Sequence, residues 1–329
     1  EGTPNGLWAV QKISRHLQWR DSNISVAYGN SPDTGTRQTP SHRVHFGLKI
    51  VNPYGVVSSV APKYQPKTIA LPGEMILLGT GTSVGVPTIG CGCPVCTSSD
   101  PRNRRTRCAA VLGLPAGNLL IDTPPDLRFQ MLREGLGVVH AVLYTHEHAD
   151  HMFGLDDLRI MPFFLGHSLP LYCEQVVEER IRTAYDYAFT DREPTHEGAV
   201  PQLTFQRIDT RPFQVLGAEV IPVRLQHGPR FQVLGFRIGN VAYCTDVSEI
   251  PAESWPLLEG LDTLVLDALR TRPHPTHFCL DEAIAAARRL KPRQTLFTHV
   301  GHDLDYADTN AKLPPGMALA YDGQRVPLT

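Results

Sequence analysis

Seven residues, Thr145-His146-Glu147-His148-Ala149-Asp150-His151, constrain this chain more than any other part of it. They place three imidazoles and two carboxylates directly after the apolar run Ala141-Val142-Leu143-Tyr144. A run of this kind ending in alternating His predicts a buried strand that passes into a loop, where a rigid scaffold presents chemistry. On an extended segment His146 and His148 point the same way and reach one cation, while Asp150 and His151 turn toward a neighbouring position. The spacing is that of a two-metal site. A helical His-Glu-x-x-His zinc motif needs its two His one turn apart, and a separation of two residues excludes it. A polar surface loop is the competing reading, and the crowding of His with Asp argues against it.

Two metals close together need an anionic oxygen able to bridge them, with His completing each coordination sphere. Three later residues end apolar runs in the way such ligands do: His227 in Leu225-Gln226-His227, Asp246 in Tyr243-Cys244-Thr245-Asp246, and His299 in Phe297-Thr298-His299. Taken singly, each strand-end His is an ordinary polar residue; together with the seven-residue core they form a set. The assignment expected is His146, His148 and His227 on the first metal, Asp150, His151 and His299 on the second, and Asp246 between them. Imidazole and carboxylate accept Zn or Mn alike.

A second metal signal stands apart. Cys91-Gly92-Cys93-Pro94-Val95-Cys96 packs three of the seven Cys into six residues. In a chain of this size that favours metal ligation over a disulfide framework. Three thiolates suit zinc and lack a fourth ligand. His302, three residues after His299, is the candidate, and Cys108 is its rival.

The surrounding texture is α/β. Strands are expected at Met75–Gly79, Ala109–Gly113, Asn118–Asp122, Leu203–Ile208, Glu219–Leu225, Val233–Ile238, Val241–Cys244, Thr263–Leu266 and Thr295–Thr298. A helical pattern follows Pro124-Pro125, and Asp281–Leu290 is a helix acidic at its start and basic at its end. Helices over Leu155–Phe164 and Glu174–Phe189 form an insertion long enough to serve as a lid. The glycine-rich loop Thr80–Pro87 lacks phosphate-binding spacing, so its glycines are expected to serve close backbone packing beside the metals.

Residues 1–70 are rich in turn residues, carry no motif, and hold eight Lys and Arg against three Asp and Glu, so they are expected to be an extension. A single domain carrying the metal motifs is then expected over 71–329. The net charge of -2 gives no reason to expect nucleic acid as a partner. No apolar run reaches the length of a membrane helix, and the first residues lack the apolar core of a secretory signal; a cytoplasmic enzyme is the expectation.

On these motifs and their order, residues 75–310 resemble the metallo-β-lactamase superfamily. The resemblance implies a four-layer αββα sandwich, two ββα halves packed sheet against sheet with metals at one edge. The Cys loop with His302 resembles the phosphoribosyl cyclic phosphate phosphodiesterase branch, associated with the carbon-phosphorus lyase pathway. In that branch such a loop and such a His hold a structural zinc. A further His, about twenty residues before the last ligand, serves substrate phosphate and proton transfer there. His277 stands at the matching place, with His274 a near rival.

The resemblance implies two divalent ions (Zn or Mn) in the active site, one structural Zn, and a small phosphodiester as substrate. A hydroxide bridging the metals would attack phosphorus, with Asp150 orienting or deprotonating it and His277 protonating the leaving group. A homodimer is one assembly the sequence allows. Three other readings compete. A ribonuclease Z-like tRNA nuclease would need a basic arm that residues 155–200 do not supply. A pyrroloquinoline quinone biosynthesis-type protein has a similar Cys loop, and a non-catalytic zinc-stabilised binding protein would keep the fold without turnover.

Overall fold

Apolar runs that bury both faces of a strand organise the molecule, as expected when a sheet is covered on both sides. The computed structural model describes residues 73–328 apart from 191–194 and 197, so the extension expected over 1–70 lies outside the described residues. With strands numbered in chain order, the first sheet runs β14 (Gln324–Pro327), β1 (Glu74–Gly79), β2 (Ala109–Leu114), β3 (Gly117–Ile121), β4 (Ala141–Leu143), β5 (Leu169–Cys173), β6 (Leu203–Arg207). The second runs β13 (Met317–Leu319), β12 (Gln294–Thr298), β11 (Thr263–Asp267), β10 (Val241–Cys244), β9 (Phe231–Ile238), β8 (Ala218–His227), β7 (Phe213–Val215).

Alternation along each strand assigns its side chains to two different cores. Met75 and Leu77 of β1, Ala110 and Leu112 of β2, and Val241 and Tyr243 of β10 enter the core between the sheets. Their neighbours Ile76, Leu78 and Val111 face outward under α1 (Leu127–Arg133), α2 (Ala149–Met152), α3 (Met161–Leu165) and α4 (Gln175–Ala184), which bury Leu127, Met131, Met152, Met161, Val177 and Ile181 there. On the far side Ala242, Cys244, Leu264 and Leu266 pack against Ala283, Ala286 and Leu290 of α5 (Leu280–Leu290). The result is an αββα sandwich. Asp281 and Glu282 in the first turn of α5 and Arg288 and Arg289 in its last complement the helix dipole.

Each sheet changes from antiparallel to parallel pairing halfway across. Strands β3 to β6 are parallel, as are β10 to β13, while β8 runs with β10 because both oppose β9. The loops that leave β3, β4, β8, β10, β11 and β12 therefore gather at one edge.

The expected lid is built differently. Leu155–Ile160 is a 3-10 turn, and the apolar faces of α3 and α4 are used in covering the first sheet. Between them lies β5, which Pro170 hides from sequence reading. Pro170 pairs with Thr204 of β6, and the registered pairing with β4 begins one residue later, at Leu171. No helix among the described residues is long and apolar enough to cross a membrane.

Candidate metal centre

Strand ends deliver every polar group of the centre. His227 is the last residue of β8, His299 follows β12, Asp246 lies two residues past β10, and the loop after β4 carries His146 and His148 into α2 with Asp150 and His151. The donor atoms of His146, His148 and His227 lie within 4.8 Å of one another, as do those of Asp150, His151, Asp246 and His299. The two groups adjoin: Asp246 Oδ1 is 3.4 Å from His299 Nε2 and 3.9 Å from His227 Nε2, and Asp246 Oδ2 is 3.2 Å from His151 Nε2. Asp150 Oδ2 lies 3.3 Å from His151 Nε2 and 3.8 Å from His299 Nε2.

Hydrogen bonds on the outer ring nitrogens fix which lone pairs face inward. His227 Nδ1–H donates to the carbonyl of Thr276 at 2.7 Å, and His151 Nδ1–H donates to Asp122 Oδ2 at 2.8 Å. Thr145 gives its single hydroxyl proton to the other contact with Asp122 Oδ2, at 2.8 Å, so its oxygen accepts from His146 Nδ1–H at 3.0 Å. Each ring is thereby left with Nε2 turned toward the others. Buried His146 Nε2 and His151 Nε2, and both ring nitrogens of His299, have no hydrogen-bond partner among the described residues. Buried nitrogens left unpaired are costly unless something binds them. A set of converging lone pairs and carboxylates is what divalent cations need, so these residues fit such ions.

The electrostatics agree. Burial opposes charge on His151, but Asp246, Asp150 and Asp122 outweigh it and hold its pKa well above the ordinary imidazole value. His299 is likewise buried, and Asp246 and Asp150 lift it to about 9. His146, with no such excess of carboxylate, is pushed well below by burial and by His151. The carboxylate-rich half draws positive charge, as proton or as cation. His299 raised from 6.5 to about 9 contributes stability that is complete below the lower value and is lost as pH rises through the upper. Metal-stripped protein is therefore expected to lose melting temperature across that window, and loaded protein to lose much less; calorimetry at several pH values checks this.

Two residues that sequence reading missed hold the centre from behind. Asp122, fully buried one residue past β3, accepts from Thr145 N–H and Oγ1–H and from His151. Asp267, the last residue of β11, accepts from Val247 N–H and from His277 Nδ1–H, both at 2.7 Å. That bond aims the other nitrogen of His277 toward the centre, where its ring stacks on His299 at 4.6 Å and meets His227 at 4.8 Å. Asp122, Asp246 and His299 all have left-handed backbone, with φ of 62°, 59° and 58°. Such strain, about 1–3 kcal/mol per residue, persists where the fold overrides it. Asp122→Asn tolerates that backbone but cannot accept the His151 proton in the same way. It is expected to weaken cation binding and kcat/KM by about 10–100-fold, measured by metal titration and turnover.

The Cys loop forms a separate cluster. Sγ of Cys91, Cys93 and Cys96 lie 3.2, 3.7 and 3.5 Å from His302 Nδ1. Tetrahedral zinc with its usual bond lengths sets S···N separations of about 3.5 Å, so the four donors fit that ion. Cys108 lies elsewhere: its thiol contacts the carbonyl of Gly81 and the hydroxyl of Thr298, and burial pushes it up to about 12. Buried Arg105 ties the end of the glycine-rich loop to the last His loop. It donates to Gly301 O at 2.9 Å, Leu304 O at 2.8 Å and Asn103 Oδ1 at 3.0 Å, while its backbone pairs with Val86. The glycine-rich loop passes so close that a Cβ on Gly81 would sit 2.5 Å from the Arg105 carbonyl.

Residues 117–300 match the family profile described as a β-lactamase superfamily domain. Among solved structures, the chain is similar to a diphosphatase from the PhnP family: 43% identical, covering 77% of this chain and 96% of that one, with a TM-score of 0.72. Zinc-bound PqqB from Methylobacterium extorquens is 18% identical, covers 78% of this chain and all of that one, and has a TM-score of 0.63; it shows a likeness of fold alone. Among curated proteins, the octanoyltransferase of Porphyromonas gingivalis (strain ATCC BAA-308 / W83) is 38% identical over 252 residues, 75% of this chain and 50% of that protein. Coenzyme PQQ synthesis protein B of Methylorubrum populi is 31% identical over 122 residues, 33% of this chain and 41% of that protein. The chain spans half or less of the length of these curated relatives.

Proposed function

The chain belongs to the metallo-β-lactamase superfamily, in its PhnP-like branch, and is a metal-dependent hydrolase; from that premise we propose that it cleaves a small phosphodiester. The observation that carries this reading is the convergence of inward-facing imidazoles with Asp150 and Asp246, next to the His277–Asp267 pair. His146, His148 and His227 would hold one cation, Asp150, His151 and His299 a second, and Asp246 both; these imidazole and carboxylate donors accept either Zn or Mn. Cys91, Cys93, Cys96 and His302 would hold a structural zinc. Two cations would neutralise charge building on the phosphoryl oxygens and acidify an attacking water.

The chain's own groups do the rest. Asp150, with 15% of its side chain exposed, orients the water and accepts its proton. His277 donates its Nδ1–H to Asp267, so Nε2 is the atom that meets the phosphate or gives a proton to the departing alkoxide as the bond from phosphorus to that oxygen breaks. Thr276 holds His227 through its carbonyl, and Asp122 holds His151, so two of the ring orientations are set before substrate arrives.

A diphosphate linkage is the second reading, favoured by the 43% identical diphosphatase. The tRNA nuclease reading rests on a likeness of fold, the quinone-biosynthesis reading on a likeness of fold and 31% identity over a third of the chain, and acyl transfer belongs to a protein of which this chain spans half. The test is turnover of bis(p-nitrophenyl) phosphate, ribosyl 1,2-cyclic phosphate, a dinucleoside diphosphate and precursor tRNA by metal-loaded protein. Hydrolysis of the small esters is expected. Cleavage of precursor tRNA alone, or no turnover with both cations bound, would refute the proposal.

A further inference from the structure

The loop between β11 and α5 carries more donors than the reaction above uses. His274 stands beside His277, ring centroids 5.2 Å apart and planes 46° tilted. Its Nδ1 faces the backbone N–H of Thr276 at 3.3 Å and the Thr276 hydroxyl at 3.1 Å. A backbone N–H can only donate, so Nδ1 is an acceptor and the proton of the neutral ring sits on Nε2. That N–H has no partner among the described residues. His277 has the opposite arrangement, its Nδ1–H engaged by Asp267.

The loop is braced to hold this pose. Arg270 donates through Nε to Arg272 O at 3.1 Å and through Nη2 to Pro273 O at 2.8 Å, which curls the chain just ahead of His274. Thr276 anchors both neighbours, with its carbonyl on His227 and its N–H and hydroxyl on His274. Positions 270, 272, 274 and 277 are Arg, Arg, His and His, with no acidic residue between them. The rings of His227, His277 and His274 follow one another at 4.8 and 5.2 Å, with Arg270 held on backbone carbonyls and Arg272, in the same loop, 3.7 Å from Asp303.

We propose that His274 is a specificity-determining residue that binds a second phosphate of the substrate, next to the phosphorus attacked at the metal centre. The inference rests on the phosphohydrolase reading and deepens it: a substrate with two phosphates joined through one oxygen places the first at His277 and the second at His274. A substrate with one phosphorus leaves the His274 donor unused.

The test uses metal-loaded full-length protein and the variants His274→Ala and His274→Asn. The measured quantity is the ratio of kcat/KM for P1,P2-di(adenosine) diphosphate to that for bis(p-nitrophenyl) phosphate. In both variants this ratio is expected to fall about tenfold or more, carried by KM, the worth of one hydrogen bond to a charged group. Asn keeps an acceptor for Thr276, and its side chain is too short for the amide N–H groups to reach where the ring Nε2–H does. An unchanged ratio, or recovery in the Asn variant, would overturn the proposal, because recovery marks a residue that only shapes the loop. If the wild-type protein turns over neither ester, the phosphohydrolase reading falls separately. Calorimetric binding of inorganic diphosphate against orthophosphate then decides the role of His274. A diphosphate preference lost in both variants supports it, and no preference, or one kept by either variant, refutes it.

Discussion

Asp246→Asn is expected to abolish hydrolysis and to lower the metal bound per chain by the two ions of the proposed centre, leaving the zinc that Cys91, Cys93, Cys96 and His302 would hold. The carboxylate of Asp246 touches both halves of the centre, at 3.4 Å from His299, 3.9 Å from His227 and 3.2 Å from His151, and accepts a 2.6 Å hydrogen bond from the Thr245 hydroxyl. Without it, two divalent cations would face neutral imidazoles with Asp150 as the remaining contacting carboxylate. Asn preserves volume and tolerates the left-handed backbone at this position, whereas Ala adds a backbone cost of about 1–2 kcal/mol. That cost is small beside the loss of a bridging charge, so both variants should lose activity, on the order of 10³-fold or more. Asn makes the cause unambiguous. Elemental analysis alongside turnover checks the pair, and wild-type values for both would remove Asp246 from its assigned place.

Cys93→Ser is expected to release the remaining zinc and to lower Tm by about 5 °C or more, with a smaller direct effect on chemistry. The Cys93 thiol is poised as a ligand: the backbone N–H of Cys96 lowers its pKa to about 7, against the cost of burial. Arg105 sets how far the damage spreads. Its three hydrogen bonds join residues 103, 301 and 304 without the Cys loop, so the segment that begins at His299 keeps this brace when the Cys loop is freed from His302. Activity that falls only as the protein melts would mark the site as structural. An unchanged zinc count in the variant would show that the four donors do not hold the ion.

How much of the fold and the centre is legible in the sequence depends on whether the signal is local. The His146 to His151 core is contiguous, and His227, Asp246 and His299 each follow an apolar run, so the strand-end rule alone places them at one edge. Asp122 and Asp267 end apolar runs in the same way, in Leu120-Ile121-Asp122 and Val265-Leu266-Asp267. Sequence reading misses them because their meaning lies in contacts with His151 and His277, 29 and 10 residues away. Strands β5, β7, β13 and β14 are hidden for another reason. They are short, and a strand of three to five residues with Pro or mixed polarity carries too little period to register.

The choice of His302 over Cys108 also needs three dimensions. Both are zinc donors by type, but only His302 reaches the Cys loop, while Cys108 is directed at Gly81 and Thr298. The glycine-rich loop does serve close packing, and the structure supplies the reason, the Arg105 carbonyl under Gly81. The 3-10 turn and short helices over residues 155–184 go to the outer core of the first sheet, where Leu155, Leu158, Met161, Val177 and Ile181 are buried.

The central claim is that hydrolysis depends on two cations held by one continuous set of His and Asp. It is tested most directly by stripping the active-site ions with a chelator and titrating Zn or Mn back while following bis(p-nitrophenyl) phosphate turnover. Activity should vanish on stripping and return to a plateau at two equivalents, with the Cys-bound zinc retained throughout. Turnover that survives complete removal of the ions, or that fails to return when both sites are filled, would contradict it.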